Sequence, residues 1–315
     1  MSAETAFDLV VVGAGPAGCA AAVQAHRLGV GVRLLDRRGA AGGLVENAWR
    51  IENHPGLSQP VGGAEYVRRL RSMLDRFGVS VARFDVASLE SDGGEVVLQG
   101  TGGKVIRAPA AVLATGTRSR KAGFFGEESG LVYTEVRLLM EGRPGRYAVV
   151  GGGEAAMDYA LSLASIGCDV VVLVRSDEPG AYGRLPRLVE ASGNIRLMRR
   201  TVVTEVCEDP GGGVVAGIRC DGCRRTLDLD GVVVAVGREP MLPDLPRHAA
   251  VTGRGAVDGL PGVFCAGDVA LGGLGQACSA AGDGLVAAGM ACGYIRSVRC
   301  ESVRRRCAGD RQQQR

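Results

Sequence analysis

The chain has 315 residues, 46% of them hydrophobic, and a formal net charge of +3. That size and apolar content allow one large domain or two ordinary ones, and the near-neutral balance excludes a nucleic-acid-binding body. No run reaches the roughly 18 apolar residues of a membrane span, and no basic-then-apolar leader opens the chain, so no membrane contact and a cytoplasmic setting are expected.

Leu9–Val12 reads as a buried strand, and it runs directly into Gly13-x-Gly15-x-x-Gly18. Pro16, Ala17 and Gly18 open a small-residue helix, expected over Ala17–Leu28. A strand, a tight glycine turn and a helix N-terminus form a pyrophosphate site. The next strand, Val32–Leu35, ends on Asp36-Arg37, about twenty residues past the first glycines, where an acid takes the hydroxyls of an adenosine ribose. Its charge would repel a ribose phosphate, so the first site calls for FAD or NAD. Apolar residues at Tyr66, Leu70, Met73, Leu74 and Phe77 predict an amphipathic helix over Glu65–Phe77. Val96–Leu98 and Val105–Arg107 predict hairpin strands, and Ala111–Leu113 predicts a strand closing on Ala114-Thr115-Gly116.

The layout then repeats. Val149–Val150 enters Gly151-x-Gly153-x-x-Ala156, with Glu154 in the turn, a helix over Ala155–Ser165 and a strand at Val170–Val174. Three antiparallel strands are expected at Thr201–Cys207, Val214–Arg219 and Arg224–Leu229, and another at Val232–Val236 before Gly237. A last strand end falls in Val263-Phe-Cys-Ala-Gly267-Asp268, followed by a long small-residue segment from Gln276 to Ile295. The fold class is therefore α/β, with two Rossmann-like three-layer dinucleotide-binding domains, the second inserted into the first. The expected boundaries are 1–117 with 241–315 for the first domain and 118–240 for the second. Two such openings imply a bound flavin and a nicotinamide that feeds it electrons. The last twenty residues, Arg296 to Arg315, carry seven arginines and read as a frayed terminus.

The ten cysteines are dispersed through this α/β pattern, which suits a reducing compartment. Cys220-Asp-Gly-Cys223 is the one close pair. It reads as a hairpin tip able to form a reversible disulfide. Zinc would need two further ligands that no second pair or nearby histidine supplies, so no metal is expected.

The ordered series Gly13-x-Gly15-x-x-Gly18, Gly42-Gly43, Ile51-Glu-Asn-His-Pro-Gly56, Ala114-Thr-Gly116, Gly151-Gly-Gly153, Gly237, Gly262–Asp268 and Gln276–Gly284 resembles the pyridine-nucleotide–disulfide oxidoreductases. The low-molecular-weight thioredoxin reductase branch is the nearest likeness, and it covers residues 7–297. The resemblance implies non-covalent FAD and a homodimer whose two domains rotate. It also implies that Asp268 bonds the ribityl chain, that the backbone of Gln276-Ala277 lies at the flavin pyrimidine, and that Gly43 and Asn53 line the ring. A helix N-terminus there would stabilise the negative charge of the reduced ring.

The departure from the pattern carries as much information. The stretch that holds the branch's Cys-x-x-Cys is Gly130-Leu-Val-Tyr-Thr-Glu-Val-Arg137 here, with Thr134 and Arg137 at the thiol positions. Neither can exchange disulfides, so an acceptor other than thioredoxin is expected. Glu135 and Tyr133 in that stretch, and His54, are candidates to move a proton at the flavin. Cys278, next to a helix N-terminus, is the first cysteine to test for a relocated thiol. At the second site, the branch's basic run is reduced to Arg175-Ser-Asp-Glu178. Arg175 favours NADPH over NADH by pairing with a 2′-phosphate, while Asp177 and Glu178 oppose it. Three acceptor readings stand. One is an electron carrier such as ferredoxin, met by a basic face of Arg118, Arg120, Lys121 and the tail. Another is a small organic substrate reduced or oxidised in a specialised pathway. The third is a non-catalytic redox sensor.

Overall fold

The computed structural model describes residues 7–92, 94–123, 130–271 and 275–313. The leader reading on residues 1–6 and the end of the arginine-rich tail at 314–315 lie outside them. Leu9–Val12 is buried at all four positions, as a parallel strand covered on both faces must be. It pairs with Val32–Asp36 on one side and Ala110–Leu113 on the other. The whole sheet runs Gly255–Ala256, Val263–Cys265, Ala110–Leu113, Leu9–Val12, Val32–Asp36, Val81–Arg83. Only its outermost pairing, Gly255–Ala256 with Val263–Cys265, is antiparallel. Helices Pro16–Arg27 and Ala277–Gln313 cover one face of this sheet. The antiparallel strands Val86–Asp92, Glu95–Gly100 and Val105–Ala108 cover the other.

The second unit repeats these layers. Its five strands are all parallel, in the order Ile195–Met198, Asp169–Leu173, Arg146–Val150, Gly231–Val234, Val132–Tyr133. Helices Glu154–Ser165 and Arg184–Ala191 lie on one face. The antiparallel strands Thr201–Glu208, Val214–Cys220 and Cys223–Leu229 lie on the other. The chain crosses into this unit at Thr117–Ser119 and returns at Arg238–Pro240, and the two crossings pair with each other as an antiparallel ribbon. Arg238 reinforces the ribbon, donating to the Thr117 hydroxyl at 2.8 Å and to its carbonyl at 2.7 Å. The expected insertion of one dinucleotide fold into another is thus the observed topology.

Most element ends differ from the sequence reading by a residue or two, and several pieces are additional, among them strands Val86–Asp92, Thr117–Ser119, Arg238–Pro240 and Gly255–Ala256. Val81–Arg83, Ile195–Met198 and Val132–Tyr133 are short sheet-edge strands. Helix Arg184–Ala191 has only eight residues, two of them arginine and one proline, so no long apolar period announces it. The tail expected to fray instead continues the last helix to Gln313. Arginine, glutamine and alanine are good helix formers, and no proline interrupts them.

The last helix packs closely on Pro16–Arg27. A side-chain carbon on Gly284 would lie 2.0 Å from the Ala17 carbonyl oxygen, whereas one on Gly282, half a turn away, would meet nothing within 4 Å. Gly284→Ala must therefore push two helices apart and should lower stability by about 1–3 kcal/mol. Gly282→Ala should be neutral or add up to about 1 kcal/mol through helix propensity. Thermal melts of the two variants check this, and equal melting temperatures would overturn the close-packing account.

Candidate active site

Both glycine turns are built the same way. Gly13 has φ 101° and Gly151 has φ 146°. A side-chain carbon would lie 2.3 Å from the Ala114 carbonyl oxygen at the first and 2.2 Å from the Ala235 carbonyl oxygen at the second. Each turn is thus pressed against the end of the neighbouring strand. Gly18 is needed for packing, because a side chain there would meet the Gly13 carbonyl oxygen at 1.7 Å. The second glycine of each motif differs. Nothing crowds Gly153, and Gly15 has only the Gly42 carbonyl oxygen, at 3.7 Å. The space beside them is open to a phosphate at a helix N-terminus.

The two turns are far apart in sequence, yet their helix N-termini line one continuous cleft of about 590 Å³. Gly13, Gly15, Pro16, Ala17, Asp36, Arg37, Gly43, Asn53, Ala114, Thr115, Gly116, Asp268, Gln276 and Ala277 form its first-domain wall, and Glu135, Glu154 and Ala155 belong to its second-domain wall. At the far end of the first wall, the Asp36 carboxylate accepts from the Ala14 amide at 3.0 Å and the Arg38 amide at 2.8 Å, one on each oxygen. Each oxygen keeps a second lone pair for a ribose hydroxyl. Asn53 donates to the Gln276 side chain at 3.2 Å, joining a loop to the start of the last helix. Burial raises the Asp268 carboxyl above its ordinary range, against the lowering pull of Arg238. The Thr115 hydroxyl is buried with no hydrogen-bond partner in the chain. A buried orphan of this kind in the wall calls for a ligand, and a polar dinucleotide such as FAD fits it.

Several singled-out residues lie elsewhere. Gly18, Gly151, Gly153, Ala156, Gly237 and Gly267 shape the turns without lining the cleft. Arg175 is exposed on the loop after strand Asp169–Leu173, and the Ser176 hydroxyl donates to the Glu178 carbonyl at 2.6 Å. Asp177 is paired with Arg200 at 3.2 Å, which offsets the acid next to Arg175. His54 accepts from the Gly56 amide at 3.1 Å and packs on the Tyr66 ring, outside the cleft lining. Cys278 is half-buried and also outside it. Tyr133 packs within the second domain's core.

The cysteine-free segment meets the first domain through charge. Glu135 pairs with Arg137 at 2.5 Å, Arg137 reaches Glu46 at 3.6 Å, and Glu46 holds Arg38. The Arg137 amide donates to the Asn47 side chain at 3.0 Å. Two further contacts cross between the domains. Arg184 pairs with Glu52 at 2.5 Å, and Asp158 accepts from the Trp49 amide at 2.8 Å. Burial pushes the Asp158 carboxyl up to about 6, against the backbone amides of Trp49 and Arg50. Tyr159 beside it is pushed up to about 12 by burial. The sequence reading missed Asp158, Tyr159, Tyr182, Arg184 and Arg238 as cleft residues. The first two were within reach, since they follow Glu154 and Ala155 by one helical turn and so share their face.

A fold with two dinucleotide turns opening on one cleft defines a flavoprotein oxidoreductase fed by a nicotinamide. Residues 7–284 match the model of the pyridine nucleotide-disulphide oxidoreductase family, and the chain belongs to that family. It is 29% identical over 313 residues to the thioredoxin reductase of Listeria monocytogenes, covering 95% of this chain and 97% of that one. It is 30% identical over 303 residues to the thioredoxin reductase of Mycolicibacterium smegmatis, covering 91% and 96%. Its structure resembles Lactococcus lactis thioredoxin reductase in the FR conformation, with a TM-score of 0.82, 26% identity, and 92% and 99% of the two chains covered. The protein is thus an FAD- and NAD(P)H-binding oxidoreductase of the thioredoxin-reductase-like kind. Among the described residues, no helix is long and apolar enough to cross a membrane.

Asp158 makes the domain seat sensitive to pH. Its folded value of about 6 stands above the ordinary 3.8, so the folded chain binds the extra proton between the two values. The resulting stability is fully present below 3.8 and is lost as pH rises through about 6. Asp158→Asn removes this term. Between pH 4 and pH 7 the variant should gain on the wild type by something on the order of 1–3 kcal/mol. Melting curves across that range check it, and a constant gap between the two proteins would refute it.

Proposed function

We propose that this chain is an NAD(P)H-dependent flavoprotein reductase that passes electrons to an acceptor other than thioredoxin, with NADPH as the favoured donor. The observation that carries the reading is the segment Gly130–Arg137. It holds no cysteine, and an arginine–glutamate cluster stands where thiol chemistry would need two sulfurs. The working unit we infer is a cytoplasmic homodimer, with the flavin domain at 1–117 and 241–315 and the nicotinamide domain at 118–240.

Bound FAD would supply the two-electron carrier between nicotinamide and acceptor. The chain's own residues then have distinct tasks. The first glycine turn and Asp36 hold the adenosine half of the flavin cofactor, and Asp268 and Thr115 bond its polar chain. The amides at the start of helix Ala277–Gln313 favour negative charge on the ring. Glu154 and Ala155 present the second helix N-terminus to a nicotinamide dinucleotide on the opposite wall. Asp158 and Arg184 hold that wall against the first domain, so that both cofactors would bind in one cleft. Arg175 reads the 2′-phosphate, with Arg200 neutralising Asp177 at its side.

A small-molecule acceptor is the reading we favour, because the Glu135 carboxylate lines the cleft and is charge-balanced by Arg137. A docked ferredoxin is less well supported. Arg118, one of the cations offered for its docking face, is already paired with Glu239 at 2.7 Å.

Two experiments test this. Arg175→Ala should weaken NADPH binding roughly ten-fold or more and leave NADH binding nearly unchanged, as read by anaerobic flavin bleaching titrations. Equal losses for both donors would show that Arg175 does not read the phosphate. In the second, NADPH should bleach the flavin of the wild type without reducing thioredoxin in a coupled thiol assay. Glu135→Gln should keep that bleaching rate and, in a panel of quinones and other small organic oxidants, cut turnover of the preferred acceptor at least ten-fold, a threshold set below the roughly hundred-fold that loss of a proton-transfer group typically costs. Robust thioredoxin reduction would overturn the acceptor reading. Unchanged turnover would make Glu135 a bystander.

A further inference from the structure

Cys220 and Cys223 take no part in the cleft. They end strands Val214–Cys220 and Cys223–Leu229, directly opposite each other in register, across the two-residue turn Asp221-Gly222. Both turn residues have left-handed backbones, with φ 48° and 81°, as a type I′ hairpin requires. Opposed residues beside such a turn have Cα atoms about 5.5 Å apart and side chains on one face. That lies within the span a disulfide bridges. The two thiols differ in access. Ala216 and Ile218, on the face of Cys220, are buried, and Cys220 packs at the edge of their core, while Cys223 is exposed. An open thiol beside a sheltered one is an attacking and a resolving pair.

The tip is also tied to the nicotinamide side. Arg200 and Asp221 are the two described non-glycine residues with positive φ, and they pair with each other at 2.7 Å. The Asp221 amide donates to the Arg200 carbonyl at 3.4 Å, and the Arg200 amide donates to the Ser176 carbonyl at 3.1 Å. The same Arg200 Nε–H reaches Asp177 at 3.2 Å. Asp221, held between the two cysteines, thus competes with Asp177 for one guanidinium donor. Asp177 lies two residues from Arg175. Two strained residues bonded to each other and to this loop form a compact link between the hairpin tip and the phosphate-reading segment.

We propose that Cys220 and Cys223 form a reversible dithiol–disulfide site for low-molecular-weight disulfides, and that its redox state alters NADPH affinity through Asp221 and Arg200. The affinity effect rests on the nucleotide reading above, whereas the thiol chemistry does not. The Cys223 thiolate attacks one sulfur of the small disulfide, breaks its S–S bond and releases one thiolate. The Cys220 thiolate then attacks Cys223 Sγ, closes the intrachain bond and releases the second thiolate. The protein loses two electrons, the small disulfide gains them, and the two protons of the cysteines end on the two small thiols. Arg225, two residues from Cys223 and opposite Ile218, is exposed on the same face as the pair, so a disulfide bearing carboxylates is the preferred class.

The test uses the full-length flavoprotein with oxidised glutathione, followed by alkylation and peptide mass mapping. A Cys220–Cys223 link reversed by dithiothreitol is expected, and Cys220→Ser should trap the mixed disulfide on Cys223. NADPH titrations should give dissociation constants differing at least three-fold between the reduced and oxidised forms. Asp221→Asn keeps the left-handed turn and removes the charge. It should still form the link but lose the affinity difference. Failure to form the link overturns the site. A link without any affinity change in the wild type overturns the coupling. Absence of NADPH binding in both forms overturns the nucleotide reading and the coupling with it, while the mass map still decides the thiol chemistry.

Discussion

The architecture depends on a repeated steric constraint, a strand-to-helix turn pressed against a neighbouring carbonyl. Gly13 sits against Ala114 in one domain and Gly151 against Ala235 in the other, at nearly the same separation. No side chain fits either place. Because the turns are so tight, each helix begins at the end of its central strand, with its amides aimed outward. Both N-termini open toward the same space, and the cleft between the domains follows from that. The second glycine of each motif is left largely uncrowded by the protein.

Polar contacts hold the two openings toward one another, beside the Trp49 side chain, which packs against the second domain's core. Asp158 on Trp49, Arg137 on Asn47 and Glu46, and Arg184 on Glu52 cross between the domains. Interfaces of this kind are weak compared with a fused core, which suits an arrangement that must admit and release a nucleotide. Both crossings of the chain between the domains lie in the paired ribbon of Thr117–Ser119 and Arg238–Pro240. Arg238 adds a guanidinium to that ribbon, within electrostatic reach of Asp268.

The segment that departs most from the family's pattern was not simply emptied. Where a dithiol would stand, Glu135 and Arg137 pair with each other, and Arg137 reaches across to Glu46. Thiol exchange needs sulfurs that approach and leave, whereas these charges are partly buried and mutually satisfied. The segment has become part of the seat between domains and part of the cleft wall.

Much of the fold could be read from residue order. Alternation of apolar runs with glycine turns is local information, so both dinucleotide units, the insertion and the three-stranded sheet at 201–229 were legible. Short edge strands such as Val81–Arg83, and the eight-residue helix Arg184–Ala191, were not, since their form comes from neighbours more than from period. The glycines and Asp36 were recognisable because each is demanded by backbone geometry or charge at one position, and Asp268 through the family resemblance. Asp158, Glu46 and Arg200 were not, because nothing in their local sequence says which distant group they will meet. Trp49 and Asp158 stand 109 residues apart, and only packing of one domain on the other joins them. Composition and spacing by themselves determined a chain with two dinucleotide sites, and the family resemblance showed that no dithiol stands at the branch's usual place. Tertiary structure decided that those sites share one cleft, that arginine and glutamate close the gap, and that Arg200 ties the hairpin tip to the loop after strand Asp169–Leu173. Such contacts depend on three-dimensional proximity, which sequence spacing does not encode.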